Sequence, residues 1–186
     1  MSNLIPISEL NELSYEEFIS KINILFEPSL SLANALYSSR PFASYISLIS
    51  SATDFIQNPE LPFSTKLEII NAHPRLGENK KNLSTLSLRE QGYMESSTKY
   101  NSSQNESDTV NEDEIVNTIL QELNHKYEEK FGFRFVIFVN GRSRKEIIPI
   151  LQDKLANGNQ DDELKRGLLD MMNIANDRLR LLNSFS

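Results

Sequence analysis

The chain of 186 residues has no cysteine and only two histidines, His73 and His125. Without cysteine there is no disulfide, no thiolate nucleophile and no thiolate metal site, which suits a reducing compartment. Two histidines also argue against a metal centre built from several imidazoles. No apolar run approaches the roughly 18 residues of a membrane span, and the N-terminus lacks the apolar core of a signal peptide. The C-terminus, Asn183-Ser-Phe-Ser186, is not a Ser-Lys-Leu-type peroxisomal address. Basic residues are outnumbered, 19 Lys and Arg against 26 Asp and Glu, for a net charge of −7. Such a surface suits neither a nucleic acid nor an anionic membrane as partner. These absences lead to the expectation of a soluble intracellular protein, cytoplasmic by default. Phosphate loops, dinucleotide fingerprints, zinc-ligand spacings and Ser–His–Asp signatures are missing too. An enzyme with this sequence is therefore expected to work with no metal and no organic cofactor.

What the chain does have is helical periodicity. Hydrophobic content of 39% and charged content of 24% are ordinary for a globular protein, and the length fits one domain, residues 1–186, with a sizeable core. Ser14-Tyr-Glu-Glu17 reads as a capping box ahead of Phe18, Ile22 and Leu25 at helical spacing. Pro28 breaks that helix, and Leu30, Ala33, Leu36 and Tyr37 mark the next. After Arg40-Pro41, an apolar stripe runs from Phe42 through Ile46, Ile49 and Ala52 to Ile56. Residues 62–71 form a short helix leading to His73. A helix with Ile115, Ile119, Leu123 and Tyr127 on one face is expected ahead of Phe131. Ser143-Arg-Lys-Glu146 opens another, with Pro149 inside it, and residues 161–183 make a final amphipathic helix. The polar run 97–112, rich in Ser and Asn, is expected to be a mobile surface loop.

Residues 131–139, Phe-Gly-Phe-Arg-Phe-Val-Ile-Phe-Val, have strand composition, but no second segment offers a pairing partner. A lone strand leaves its ladder groups unsatisfied. The expectation is an all-α, single-domain multi-helix bundle with this one extended segment threading the helices.

Chemistry concentrates between Ile70 and Gln91. A lone histidine beside an apolar run is commonly a packed or surface residue. His73, however, precedes Pro74, which restricts it to extended geometry and projects it stiffly from a helix end. A rigidly held imidazole, with an ordinary pKa near 6.5, is what general acid–base work needs. Ser87-Leu-Arg-Glu90 reads equally as a capping box and as an anion-binding helix start, and a Glu90 carboxylate near His73 would hold its tautomer. Arg75, Arg142, Arg144 and Arg178 are candidates for an anion site or for plain surface charge.

Taken in order, these stretches resemble one family, the 2-oxo-4-hydroxy-4-carboxy-5-ureidoimidazoline (OHCU) decarboxylases of urate breakdown. The resemblance runs through Phe26-Glu27, Arg40-Pro41-Phe42, Ala72-His-Pro-Arg-Leu-Gly77 and Ser87-Leu-Arg-Glu-Gln91. It continues through Asn124, Tyr127 and Lys130 to Val136, then Asn140-Gly-Arg-Ser-Arg144 and Ile174-Ala-Asn-Asp-Arg-Leu179. Two departures stand out: the run 97–112 is longer than expected, and Arg134 stands where many members have Pro.

The resemblance implies an all-α fold, a homodimer and no cofactor, with the peroxisome left open as a compartment. It implies decarboxylation of an anionic ureide, OHCU, to (S)-allantoin in purine catabolism, with His73 as general acid–base and Glu90 as its partner. Pro74, Ser87, Leu88, Arg89 and Gln91 would line the substrate, and residues Phe133, Arg134, Phe135, Val136 and Ile137 would offer it backbone groups. Arg178 would meet a substrate oxygen or carboxylate, in a division of labour with Arg142 left open. Two other readings stand beside this one: a different cyclic-ureide lyase or hydrolase on the same fold, and a non-catalytic helical interaction module.

Overall fold

A computed structural model of the chain describes residues 4–77 and 106–184. Among the described residues the regular structure is helical throughout: α1 (Ile7–Glu12), α2 (Tyr15–Ile22), α3 (Leu30–Ser38), α4 (Tyr45–Gln57), α5 (Phe63–Ala72), α6 (Glu106–Phe131), α7 (Arg144–Asn157) and α8 (Gln160–Ser184). None of these helices is long and apolar enough to cross a membrane. The chain groups into two compact units. The first holds Met1–His73, Val136–Phe138 and Leu164–Ser186, and the second holds Pro74–Phe135 and Val139–Glu163.

In the first unit, serines start the helices. Ser14 and Glu17 satisfy each other's orphan amides at the start of α2, as the sequence predicts, and Ser44 with Ser47 does the same for α4. Ser29 caps α3 by accepting from Leu32 N. Phe18, Ile22, Leu36, Leu48, Ala52 and Ile70 are buried in the core between these helices. Arg40 is structural: its guanidinium donates to the carbonyls of Tyr37, Asn11 and Leu13 and lies 3.5 Å over the Tyr37 ring. Ser31 at the start of α3 bonds Glu68 of α5 through both its amide (3.0 Å) and its hydroxyl (2.5 Å). Two charge-assisted bonds thus fix α5 relative to α3. On the other side of α5, Gly167 of α8 lets the two helices approach closely. A Cβ there would come within 2.6 Å of the buried Ile70 side chain.

The second unit is built on α6 and α7. Tyr127 is fully buried among Phe131, Phe135 and Phe133, with ring centroids at 4.5, 5.0 and 5.9 Å. Its hydroxyl donates to the buried Glu163 carboxylate at 2.9 Å. Gly132 ends α6 in the left-handed region (φ +84°), where its amide donates to Glu128 O. Lys130 then reaches Leu155 O at the end of α7.

Two sequence expectations need correction, and one helix, α1, has no signal in the sequence. Residues 106–112 are not loop but the opening turns of α6, and residues 97–105 lie outside the described residues. Acidic residues such as Glu106 and Asp108 are common in sequences that open a helix, which a reading by polarity alone mistakes for a loop. The buried face of α6 is Val116, Leu120, Leu123, Asn124 and Tyr127, whereas Ile115 is exposed. Asn124 is the reason: its amide donates to Leu76 O at 2.7 Å, so a polar residue occupies the core stripe and shifts the apparent period. The short helix α1 has no capping side chain and only six residues, too few for a periodic signal.

Residues 134–139 carry no strand pairing, in keeping with a solitary extended segment. Val136 O accepts from Arg166 at 2.8 Å, so a side chain on α8 does for this backbone what a neighbouring strand would do elsewhere.

Candidate functional site

His73 is the residue just past α5. Its amide still bonds Ile70 O, while its own backbone is extended (φ −73°, ψ 140°), as a residue before proline must be. The buried Ile69 and Ile70 hold the last turn of α5, and the imidazole therefore leaves the core at a fixed angle. Its Nδ1 lies 3.2 Å from Oε2 of Glu27, and its side chain is 13% exposed.

Glu27 reaches that position by a parallel device. After α2 the chain runs through the buried Leu25 and Phe26, and Pro28 stiffens the residue before it. Two residues that each precede a proline, Glu27 and His73, are thereby presented to one another. The second oxygen of Glu27 accepts from Arg178 Nη2 at 2.8 Å, and Arg178 Nη1 is 3.3 Å from Leu25 O. Arg178 lies on α8 in a buried stripe with Met171 and Ala175 and is itself only 3% exposed. A buried guanidinium needs a charged, well-aligned partner to offset the loss of water, and Glu27 is that partner.

The result is a row of three charge-bearing groups, Arg178, Glu27 and His73, inside the first unit. Burial pushes the Glu27 carboxyl up. The hydrogen bond from His73 and the positive charges of Arg178 and His73 together outweigh it, and bring the group down to about 2. Glu27 is thus an anion throughout the neutral range. A carboxylate fixed on Nδ1 is the arrangement that orients an imidazole for proton transfer at its other nitrogen.

Of the residues singled out by the sequence, His73 and Arg178 come together through Glu27. Arg178, expected at a substrate oxygen, has nitrogens on Glu27 and Leu25. Val136 and Ile137 belong to the same unit, both with buried side chains. Pro74, Phe133, Arg134 and Phe135 belong to the second unit. There Phe133 and Phe135 are core rings around Tyr127, so only their backbone is available to a ligand. Ser87, Leu88, Arg89, Glu90 and Gln91 lie outside the described residues. Arg142 donates to Val139 O at 2.8 Å, and Arg144 is buried and bonded to Asn117, which gives both a structural task. Arg75 makes two bonds to Glu128, at 2.6 and 2.9 Å, and holds that carboxyl below its ordinary range.

Glu128 and Asn124 stand about one helical turn apart on α6, and between them they hold Arg75 and Leu76. The stretch following His73 is thus anchored as firmly within the second unit as His73 is within the first. Among the described residues no three His, Asp or Glu side chains cluster so as to hold a metal ion.

Glu27 is the residue that a reading of the sequence misses. In the sequence it belongs to a helix break, Glu27-Pro28-Ser29, and to the family stretch Phe26-Glu27, with no chemical role attached to it. The available signal is an ionisable residue directly before proline, a pattern found at Glu27, Arg40 and His73.

Comparison with known proteins bears on the same stretches. The chain is 32% identical over 177 residues to the uric acid degradation bifunctional protein of Bacillus sp. (strain TB-90), covering 95% of this chain and 32% of that one. It thus spans about a third of the length of that relative. It is 29% identical over 173 residues to the Xenopus laevis 2-oxo-4-hydroxy-4-carboxy-5-ureidoimidazoline decarboxylase, covering 93% of this chain and 91% of the relative. In fold it is similar to a crystal structure of OHCU decarboxylase in the presence of (S)-allantoin, with a TM-score of 0.60 and 22% identity over 93% of this chain and 99% of the other. It is also similar to a crystal structure of (S)-allantoin synthase, with a TM-score of 0.61 and 17% identity over 96% and 54%. The family model described as OHCU decarboxylase matches residues 11–180, a span that takes in Glu27, His73 and Arg178, and the chain belongs to that family.

Proposed function

We propose that this protein decarboxylates OHCU to (S)-allantoin, with His73 as the general acid–base group. The observation that carries this reading is the family match over residues 11–180, within which the one half-buried, carboxylate-held imidazole is His73. The substrate's carboxylate is attached to a carbon that bears a hydroxyl and adjoins a C=N bond. When the C–CO₂ bond breaks, its electron pair forms a C=C bond to the neighbouring carbon and the ring nitrogen takes a proton. The hydroxyl then gives up its proton as the C–O bond becomes a carbonyl, and a proton is delivered to the neighbouring carbon. With the one proton that the ring nitrogen takes up from solvent, CO₂ and allantoin account for every atom of the substrate carboxylate. Because the substrate's own C=N bond accepts the electrons, the protein's task is to bind an anion and move protons.

His73 takes the hydroxyl proton and returns a proton to one face of the enol-type intermediate, which sets the handedness of the product. By the family resemblance, Gln91 and the backbone of Phe133 to Ile137 would donate to the developing oxyanion and the ureido group, and Pro74 and Ser87 would contact the substrate. By the same resemblance, Glu90 would polarise His73 or share its proton work. We propose that the active species is a homodimer, the state the family resemblance implies; light scattering giving twice the chain mass would support it, and a monomer mass at working concentration would contradict it.

His73→Asn tests the central assignment. The variant is expected to lose about 10²–10⁴-fold in rate, the share a positioned acid–base side chain contributes, and to leave only slow spontaneous decay to racemic allantoin. Circular dichroism of the product together with the thermal midpoint of the protein provides the measurement. A folded variant that still gave an excess of one enantiomer would rule His73 out.

A further inference from the structure

We infer that Glu27 is a positioning residue, which fixes His73 in the Nδ1–H tautomer so that Nε2 is the atom that exchanges protons with substrate, and that Arg178 holds Glu27 to this task. The inference rests on the reading of His73 as the acid–base group and adds to it the atom that does the work.

The geometry leaves little choice. A neutral imidazole carries its proton on one nitrogen or the other, and whichever nitrogen faces an acceptor keeps it. Nδ1 faces Oε2 of Glu27 at 3.2 Å. An ionised carboxylate has no proton to give, so the proton in that contact belongs to Nδ1. Glu27 cannot turn away, because its other oxygen is tied to Arg178 Nη2 at 2.8 Å, and Arg178 is itself tied to Leu25 O. Since Leu25 lies two residues before Glu27, Arg178 grips the same short segment by backbone and side chain together. Pro28 and Pro74 remove most of the remaining backbone freedom on the two sides of the contact.

The same hydrogen-bond logic gives a substitution that inverts the tautomer while keeping the shape. In Glu27→Gln the amide has one acceptor and one donor end. Arg178 can only donate, so it takes the carbonyl oxygen. The amide NH₂ is then left facing His73 Nδ1, which must become the acceptor and pass its proton to Nε2. The buried guanidinium keeps a partner and the side-chain volume is unchanged, so the fold is expected to survive. Glu27→Leu, in contrast, strands a buried charge and is expected to unfold more readily.

The experiment is ¹⁵N spectroscopy of the neutral imidazole in the full chain, carried out in a His125→Gln background so that His73 gives the only histidine signals. His125 is exposed and pairs with its own helix neighbour Glu129, far in sequence from the three residues at issue, which makes it a safe substitution. The parent is expected to show Nδ1 protonated, and Glu27→Gln to show Nε2 protonated. In turnover, Glu27→Gln is expected to lower kcat by about 10²-fold or more with KM little changed, because the wrong tautomer affects proton transfer and not binding. A parent spectrum with the proton on Nε2 would overturn the inference, and so would Glu27→Gln with an unchanged tautomer or unchanged kcat. The spectra need no substrate. If the protein failed to consume OHCU, the proposed reaction would fall while the tautomer result still decided the role of Glu27.

Discussion

A carboxylate can hold an imidazole in place only while it stays charged, and Glu27 is kept charged by its neighbours. With its carboxyl brought from an ordinary 4.5 to about 2, the folded protein binds fewer protons at this position than the unfolded chain does between those two values. Its contribution to stability is therefore complete above about pH 4.5 and is lost as pH falls through 2. The Glu27 side chain is 29% exposed, so solvent screening makes about 3 kcal/mol the upper end of the full span. Denaturant titrations at a series of pH values should show the parent losing stability between pH 5 and 2.5 more steeply than Glu27→Gln, so that the gap between them closes on acidification. A gap that stayed constant over that range would mean that Glu27 is not the anion described. Sequence reasoning reached His73 because proline beside a lone histidine is conspicuous. It did not reach Glu27 or the full role of Arg178, because neither residue advertises a partner some fifty or a hundred and fifty positions away. Periodicity sorts residues into faces, and Arg178 belongs by charge to one face and by burial to the other.

Helix starts are legible where a side chain marks them and obscure where none does. Ser14 and Ser143 each meet a glutamate three residues on, and both capping boxes form as read. The start of α1 has no such side chain, and only the folded chain reveals it. The end of α7 carries a further constraint that composition hides. Gly158 ends that helix with φ −72°, which any residue can adopt, yet a Cβ there would lie 2.6 Å from Lys154 O and 3.0 Å from Glu163 Cγ. The carbonyl is backbone and cannot rotate aside, and Glu163 is pinned by Tyr127 and by Lys154 at 3.4 Å. Gly158→Ala should therefore destabilise by about 1–3 kcal/mol, as overpacking in a closed site does, despite the lower chain entropy of alanine in the unfolded state. A thermal midpoint several degrees lower would agree; an unchanged or raised midpoint would show that the junction between α7 and α8 has room to relax. Pro149 sits inside α7, where the sequence places it.

Across the chain, the all-α class and most of the helices follow from spacing and caps, while the grouping into two compact units does not. That grouping depends on where 136–138 and the length of α8 fall, and neither hydropathy nor composition encodes it. The family assignment was legible for a different reason: several short stretches recur in order from Phe26 to Leu179, and together they are far more specific than any one. Those stretches also explain one another in the structure, since Asn124 holds Leu76 and Arg178 holds Glu27. The most direct test is to give the intact protein freshly generated OHCU and follow its absorbance together with the circular dichroism of the product. Decay faster than the spontaneous rate, ending in (S)-allantoin alone, is the expected result. Decay at the spontaneous rate to a racemic product would contradict the proposed activity.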